Sequence, residues 1–227
     1  MTGLVAVAPG VDRWVMPEAA MNAVVVADGG EALVVDPGTL PSRATALRTA
    51  VEARGDRVVG VVVTHAHWDH FFALEAFADV PCYAHPTAVE EIREQAESQR
   101  AEVLGFAGPE TVEQLRALTI TAPGVGVAAP LTLRVGALEV LLEPIGRAHT
   151  GGDLVVHVPA AGVTVAGDLV ETADDPQLGD SGDASGWLGA LDRLARSGQP
   201  LLVPGHGDPC GHERLDHHRA LLAALAG

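Results

Sequence analysis

The sequence predicts an α/β fold in which two β-sheets pack together and helices cover them. The chain reads as two halves of one style, strands and then helices, with no long linker between them. Several strands read as continuous apolar runs, residues 58–63 most clearly, and such runs suit strands buried on both faces. Apolar residues make up 48% of 227 positions, which excludes a disordered chain and supports one sizeable core. One domain over residues 1–227 is therefore expected, in halves of about 1–117 and 131–227.

Residues 22–26 and 32–35 are β-rich runs flanking Asp28-Gly29-Gly30, a hairpin signal. Residues 41–54 place Ala44, Leu47, Ala50 and Val51 at helical spacing. The run 58–63 stops at Thr64-His65. A helix is expected over 70–77, a strand over 82–84, and a helix over 87–99 with Thr87 as N-cap and Glu90 as its capping-box partner. Glycines and prolines break the pattern from 104 to 130, leaving a connection with one helix at 110–117. In the second half, 131–135 and 138–142 flank Gly136-Ala137, and 153–158 and 163–166 flank a turn at 160–162. A helix over 187–196, a short buried strand over 201–203 and a closing helix over 210–226 complete the chain.

The formal net charge is −16, and all 14 basic residues are arginine. An acidic surface repels phosphate backbones, so a nucleic-acid partner is not expected. No run of 18 apolar residues exists, so no membrane span is expected. Residues 1–9 carry neither a positive n-region nor a long apolar h-region, so no signal peptide is expected and cytoplasm is the expected location. Cys82 and Cys210 suggest no disulfide framework. A small-molecule substrate is the expected partner, and a homo-oligomer is left open.

The strongest chemical signal is His65-Ala66-His67-Trp68-Asp69-His70, with four potential ligands in six residues at the end of a buried strand. Neutral imidazole and carboxylate form a ligand set that suits zinc. In an extended loop His65 and His67 point to one side, and Asp69 and His70 follow where the chain turns into a helix. They could hold a second ion a few Å away. Three further candidates follow apolar strands: His149 in His149-Thr150-Gly151-Gly152-Asp153, Asp168 after Gly167, and His206 in Pro204-Gly205-His206-Gly207-Asp208. Each has Gly or small neighbours, which let backbone approach a crowded centre. The other histidines take structural readings: His85 at a strand end, His157 in a strand, and His212, His217 and His218 on the solvated face of the last helix. Cys210 is expected to pack, and Trp68 to wall the site or join the core.

The order H-x-H-x-D-H, then His, then Asp, then His resembles the metallo-β-lactamase superfamily along the whole chain, and Val34-Val35-Asp36-Pro37-Gly38 resembles that family's first motif. The resemblance implies a four-layer αβ/βα sandwich with metals at one edge between the sheets. It implies two divalent ions, zinc first, with iron or manganese admissible. His65, His67 and His149 would bind one, Asp69, His70 and His206 the other, and Asp168 would bridge them. Asp36 would orient a ligand by hydrogen bonding. The implied activity is metal-dependent hydrolysis by a metal-bridging hydroxide, with Asp69 or Asp168 steering the proton.

Within the family, lactamases with a Cys ligand carry it between the third and last His, where this chain has Asp168. His70 with Asp168 resembles the glyoxalase II, lactonase and phosphodiesterase branches. Quorum-signal lactonases carry Tyr three residues after the bridging Asp, and this chain has Glu171. Full-length glyoxalase II adds a C-terminal helical domain with basic residues for glutathione, whereas 21 residues follow His206 here and none is Lys. The expected substrate is a small ester, thioester or related acyl compound. The alternatives are a mononuclear iron persulfide dioxygenase, or a lactonase or β-lactamase-type hydrolase. The pocket rim is expected from residues 14–21, the connection near 104–130, and the segment after Asp168, whose Glu171, Asp174, Asp175, Asp180 and Asp183 would disfavour polyanions.

Overall fold

The computed structural model describes residues 3–17, 19–179 and 181–225. The first half contains β1 (Val5–Ala8), β2 (Val11–Met16), β3 (Met21–Asp28), β4 (Glu31–Val35), α1 (Pro41–Ala53) and β5 (Arg57–Val62). It continues through α2 (Trp68–Phe71), β6 (Cys82–Ala84), α3 (Pro86–Leu104), α4 (Pro109–Ala117) and β7 (Val125–Gly126). The second half contains β8 (Leu131–Val135), β9 (Leu138–Gly146), β10 (Asp153–Val158), β11 (Val163–Glu171), α5 (Ala184–Arg196), β12 (Leu201–His206) and α6 (Glu213–Leu225). Pro41, Pro86 and Pro109 open α1, α3 and α4, where a missing N–H leaves no helical bond unmade.

Strand order is β7-β6-β5-β4-β3-β12-β11-β10-β9-β8, with β2 on β3 and β1 on β2. One ladder pair, His206 with Met21, joins the two halves. The sheet curls there, and its halves face each other. Side-chain alternation along the strands shows this. Val24, Val26, Leu33, Val35 and Val62 point to one cluster together with Leu142, Leu154, Val156, Val165 and Val203 of the other half. The residues between them point outwards. Val25, Val34 and Val61 meet Leu47 and Val51 of α1 and Ile92 of α3. Val155, Val170 and Leu202 meet Trp187 and Leu191 of α5 and Leu215 and Leu222 of α6. Three apolar interfaces require four layers, which is the αβ/βα sandwich. A valine fully buried in any of them stabilises the fold by roughly 1.5–3 kcal/mol. A one-residue register slip would exchange the two faces of a strand, so both clusters it serves must fix the same register.

Several elements differ from expectation. The helix expected over 70–77 begins at Trp68 and tightens into a 3₁₀ stretch, Phe72–Phe77, which buries Phe72 and Phe77. His85, not Thr87, caps α3: its Nδ1 accepts the Thr87 N–H at 3.2 Å. The strand expected over 163–166 runs on to Glu171, and β12 runs on to His206, so two site candidates lie within strands. His218 is not on a solvated face. With Leu215 and Leu222 it forms the buried stripe of α6, and its Nε2 accepts the Glu171 N–H at 3.0 Å. The expected closing helix ends at Ala226, which lies outside the described residues. No helix among the described residues is long and apolar enough to cross a membrane.

Candidate metal centre

The edge where the two halves meet gathers all seven predicted ligand residues. They form two groups, His65, His67, His149 and Asp168 in one and Asp69, His70 and His206 in the other. Within each group the nearest ligand atoms lie within 4.8 Å of one another. In the first, His67 Nδ1 is 3.1 Å from His65 Nε2 and 3.0 Å from His149 Nε2. Asp168 Oδ2 lies 3.5 Å from both His65 Nε2 and His149 Nε2. Ligand atoms on a tetrahedral zinc at its usual bond lengths stand about 3.3 Å apart, so this spacing suits one ion. In the second group, His206 Nε2 is 3.2 Å from Asp69 Oδ2 and 3.4 Å from His70 Nε2.

Asp168 reaches both groups, its Oδ2 3.4 Å from His206 Nε2 and its Oδ1 3.3 Å from His70 Nε2. A bulge aims it there. The β11–β12 register shifts on both sides of Gly167, whose φ of +53° an L side chain would resist. Across the ladder, a methyl group on Gly205 would fall inside the Asp168 carboxylate. Glycine at 205 thus leaves room for the carboxylate, as the small neighbours in the sequence suggest.

The imidazoles are held with chosen tautomers. Asp36, 1% exposed, accepts the Thr64 N–H on Oδ1 at 2.8 Å and the Thr64 hydroxyl on Oδ2 at 2.8 Å. The same Oδ2 accepts from His70 Nδ1 at 2.9 Å. Because the Thr64 hydroxyl proton goes to Asp36, its oxygen must accept from His65 Nδ1, 3.0 Å away. Both rings therefore carry their proton on Nδ1 and turn a lone pair on Nε2 towards the cluster. His206 Nδ1 donates to the Ala19 carbonyl at 2.8 Å, next to Ala20, whose φ of 51° is unusual for a residue with a Cβ. The loop carrying His149 is tied by Asp153, which accepts from the Thr150 N–H and hydroxyl.

These residues fit a pair of cations. Burial, and then the neighbouring His65 ring, pushes His67 down to about 4 and His149 well below its ordinary value, so both are neutral imidazoles ready to ligate. Burial would raise Asp168, but His70 and His65 hold it well below the usual carboxylate range. Asp168 Oδ1 is buried with no hydrogen bond. Five imidazoles around two ionised carboxylates concentrate lone pairs that metal ions neutralise. Neither cysteine joins them. Cys82 lies in the sheet beside Val61 with its thiol pushed up to about 12 by burial, and Cys210 pairs with Leu202.

A cleft of about 660 Å³ opens over the centre. Its walls differ in part from the predicted rim. Ala19 comes from the 14–21 segment, but the 104–130 connection contributes Phe106 alone. The α3 face, with Gln95, Gln99 and Glu102, supplies the rest of that side. The sequence shows these residues at helical spacing, but a polar stripe reads as solvated until its surroundings are known. Residues from 171–179, with Ser181, form another wall, anchored where Arg147 donates to the Ser181 and Gly182 carbonyls. Only part of the acidic segment faces the cleft. Asp175 pairs with His217 and Asp183 caps α5, while Asp180 lies outside the described residues. Trp68 lines the cleft. Glu171 has a larger place than the sequence reading allowed it: it is 6% exposed and lines the cleft, and burial, then Asp168, pushes its carboxyl up to about 8. The continued apolar run Leu169-Val170 was the available signal that the strand, and so Glu171, ran into the site.

A four-layer sandwich with a histidine–carboxylate basin at the edge between its sheets defines a class of metal-binding α/β proteins. The family model of the metallo-beta-lactamase superfamily matches residues 18–206, and the chain belongs to that superfamily. It is 28% identical over 170 residues to a metallo-beta-lactamase type 2 of Bacillus cereus, covering 73% of this chain and 58% of the other. It is 32% identical over 158 residues to an uncharacterized protein of Aquifex aeolicus (strain VF5), covering 66% of each. The chain thus spans about half to two thirds of the length of the curated relatives it matches. Among solved structures, DIM-1 metallo-beta-lactamase superposes with a TM-score of 0.77 at 20% identity, over 98% of this chain and 97% of that one. A metallo-beta-lactamase from Pontibacter korlensis gives 0.77 at 20% identity over 98% and 99%. At such identity these structures speak for the fold.

Proposed function

We propose that this protein is a dinuclear metal hydrolase of a small ester or thioester, with a glyoxalase II-like ligand set. The observation that carries the reading is Asp168, whose two oxygens face the two histidine groups at 3.3–3.5 Å. A carboxylate shared in this way supports one ion on each side, and zinc is the first choice for the N/O donors. Bound, the two ions supply ionised water near neutral pH and Lewis acidity for an acyl carbonyl. His65, His67 and His149 would hold one ion and Asp69, His70 and His206 the other, with Asp168 common to both. Burial would raise Asp69, but His70 and His206 hold it at about 2, so it is an ionised carboxylate, and Oδ1, the oxygen not turned to His206, can steer a proton from the attacking water. Asp69 lines the cleft and is placed to pass that proton to the leaving group. Water adds across the acyl C–O or C–S bond, releasing the acid and an alcohol or thiol. The names of the relatives support β-lactams as a second substrate class.

Elemental analysis of gently purified protein is expected to give close to two equivalents of metal per chain. Thioesters, esters, lactones and β-lactams assayed side by side are expected to show thioester or ester turnover. Metal near zero after supplementation, or a fully loaded protein inert to the whole panel, overturns the proposal. One equivalent of iron with sulfur-dependent oxygen uptake would replace it with the dioxygenase reading.

A further inference from the structure

Apart from the proposed histidine ligands, the cleft over the metal centre is lined by acidic, amide, hydroxyl and apolar side chains, and no arginine lines it among the described residues. The chain has no lysine. Three arginines near its walls are engaged elsewhere: Arg147 with the Ser181 and Gly182 carbonyls, Arg214 with the Glu171 and Asp174 carbonyls, Arg100 with Glu97 and the Leu118 carbonyl. Outside the proposed ligands, the acidic side chains on the walls are Glu102, Glu171 and Asp174. Glu171 is the informative one. It is 6% exposed, it lines the cleft, and its carboxyl makes no hydrogen bond or ion pair with the described residues, although its backbone is held at both ends by His218 and Arg214. A carboxyl that lines the cleft without a protein partner is left for whatever enters the cleft.

A second observation is independent of the acids. Gln99 donates through Nε2 to the Ala66 carbonyl at 2.8 Å, which fixes its amide, and its Oε1 is buried with no partner. The same cleft therefore presents an unmet amide oxygen from α3 and an unmet carboxyl from β11. Beside them lies an apolar wall. Phe106 is 69% exposed and stands edge-on to Trp68 at 6.5 Å, and Leu178 is 41% exposed on the opposite side.

We propose that the substrate is a cationic acyl compound: its ammonium or protonated N–H group meets Glu171, Gln99 supplies a further acceptor, and an apolar or aromatic flank lies on Trp68 and Phe106. The reaction it undergoes rests on the hydrolase reading above; the charge preference does not. A donor on the substrate satisfies the oxygens that the fold leaves unmet. A carboxylate or phosphate in the same place meets only acceptors, and it has no arginine or lysine to pair with. Sites that bury a polar group for one partner discriminate strongly against a substrate that leaves it unpaired. A preference of about 10- to 100-fold for the cation over the matched anion is expected from one charge-assisted hydrogen bond.

The test uses the metal-loaded full chain and aryl-alkyl thioesters that differ only at the tail, which ends in ammonium, a neutral methyl, or a carboxylate. The expected order in kcat/KM is ammonium, then neutral, then carboxylate, and the difference should lie mainly in KM. Ketone isosteres with the same three tails, titrated calorimetrically, read the same order without turnover. Glu171→Gln, checked for metal content and circular dichroism, is expected to reduce the ammonium-to-carboxylate ratio at least tenfold, and Asp174→Asn, an exposed change at the same wall, about twofold to threefold. Carboxylate tails bound or hydrolysed as well as ammonium tails overturn the proposal, as does an unchanged ratio in folded, metal-replete Glu171→Gln. If no thioester turns over while the isosteres still rank by charge, the hydrolase reading fails and the charge preference stands.

Discussion

Asp36 touches no proposed metal position, yet replacing one of its oxygens with an amide nitrogen is expected to weaken both halves of the centre. In Asp36→Asn, Oδ1 keeps the Thr64 N–H, which donates at 2.8 Å, and so Nδ2 falls where Oδ2 was. Oδ2 accepts from the Thr64 hydroxyl at 2.8 Å and from His70 Nδ1 at 2.9 Å. An NH₂ there donates instead. His70 must then accept on Nδ1 and carry its proton on Nε2, the atom aimed at His206 and Asp168. The Thr64 hydroxyl is released to donate to His65 Nδ1, which moves that ring's proton to Nε2 as well. Two of the six nitrogen and carboxylate ligands belonging to a single group lose their lone pair through one isosteric change, one in each group. Loss of a partner that orients a ligand costs about 10- to 100-fold in metal affinity, so each ion is expected to bind about 10- to 100-fold more weakly. The cost to the fold is smaller, about 1–3 kcal/mol, because the replacement fills the same space. Chelator competition reads the two affinities, and ¹⁵N shifts of the metal-free protein read the tautomers of His65 and His70. Wild-type affinity at both positions, with Nδ1–H retained on both rings, would refute the reasoning.

Asp168→Ala is expected to remove metal from both positions and to cut activity by orders of magnitude, whereas His157→Ala, which breaks contacts with Thr164 and Glu143 at 2.8 and 2.7 Å, should cost about 1–3 kcal/mol of stability and no metal. Equal metal loss in the two variants, measured by elemental analysis, would reject the assignment of Asp168. Gly205→Ala places a methyl group in the Asp168 carboxylate and should lower metal content and activity at least tenfold in a folded protein; normal metal content would show that the close approach is dispensable. Burial, then Arg214 and His217, pushes His218 down to about 4 from an ordinary 6.5. The unfolded chain therefore binds the proton more tightly, and the contribution of His218 to stability is full above pH 6.5 and is lost as pH falls towards 4. Denaturation midpoints followed across that range should be flatter in His218→Gln, and an unchanged slope would place the acid sensitivity elsewhere.

The separate ligand residues were legible in the sequence because their chemistry is local. Four candidates within His65–His70 cannot avoid one another, and the runs before His149, Asp168 and His206 show apolar strands ending in small and polar residues. The two-sheet architecture was legible for a related reason: a strand such as 58–63, apolar on both faces, needs a layer on each side. What surrounds the ligands was not. Asp36 lies 34 positions before His70 and Thr64 lies next to His65, and only the closing of β4 against β5 makes the three one hydrogen-bonded chain that sets two tautomers. His218 reads as a polar residue on an amphipathic helix, and it is buried because α6 docks over the end of β11. Glu171 reads only as one acid of an expected rim, and Gln99 carries no signal, for the same reason, since spacing along a helix or strand fixes which residues share a face but carries no information about what that face meets. Residue type and local period therefore determined which groups could bind metal and how many layers the chain must form. The pairing of distant segments decided which oxygens stay unmet in the cleft, because that depends on the packing of β11 and α3 about a common centre, a contact that no local stretch of the chain encodes.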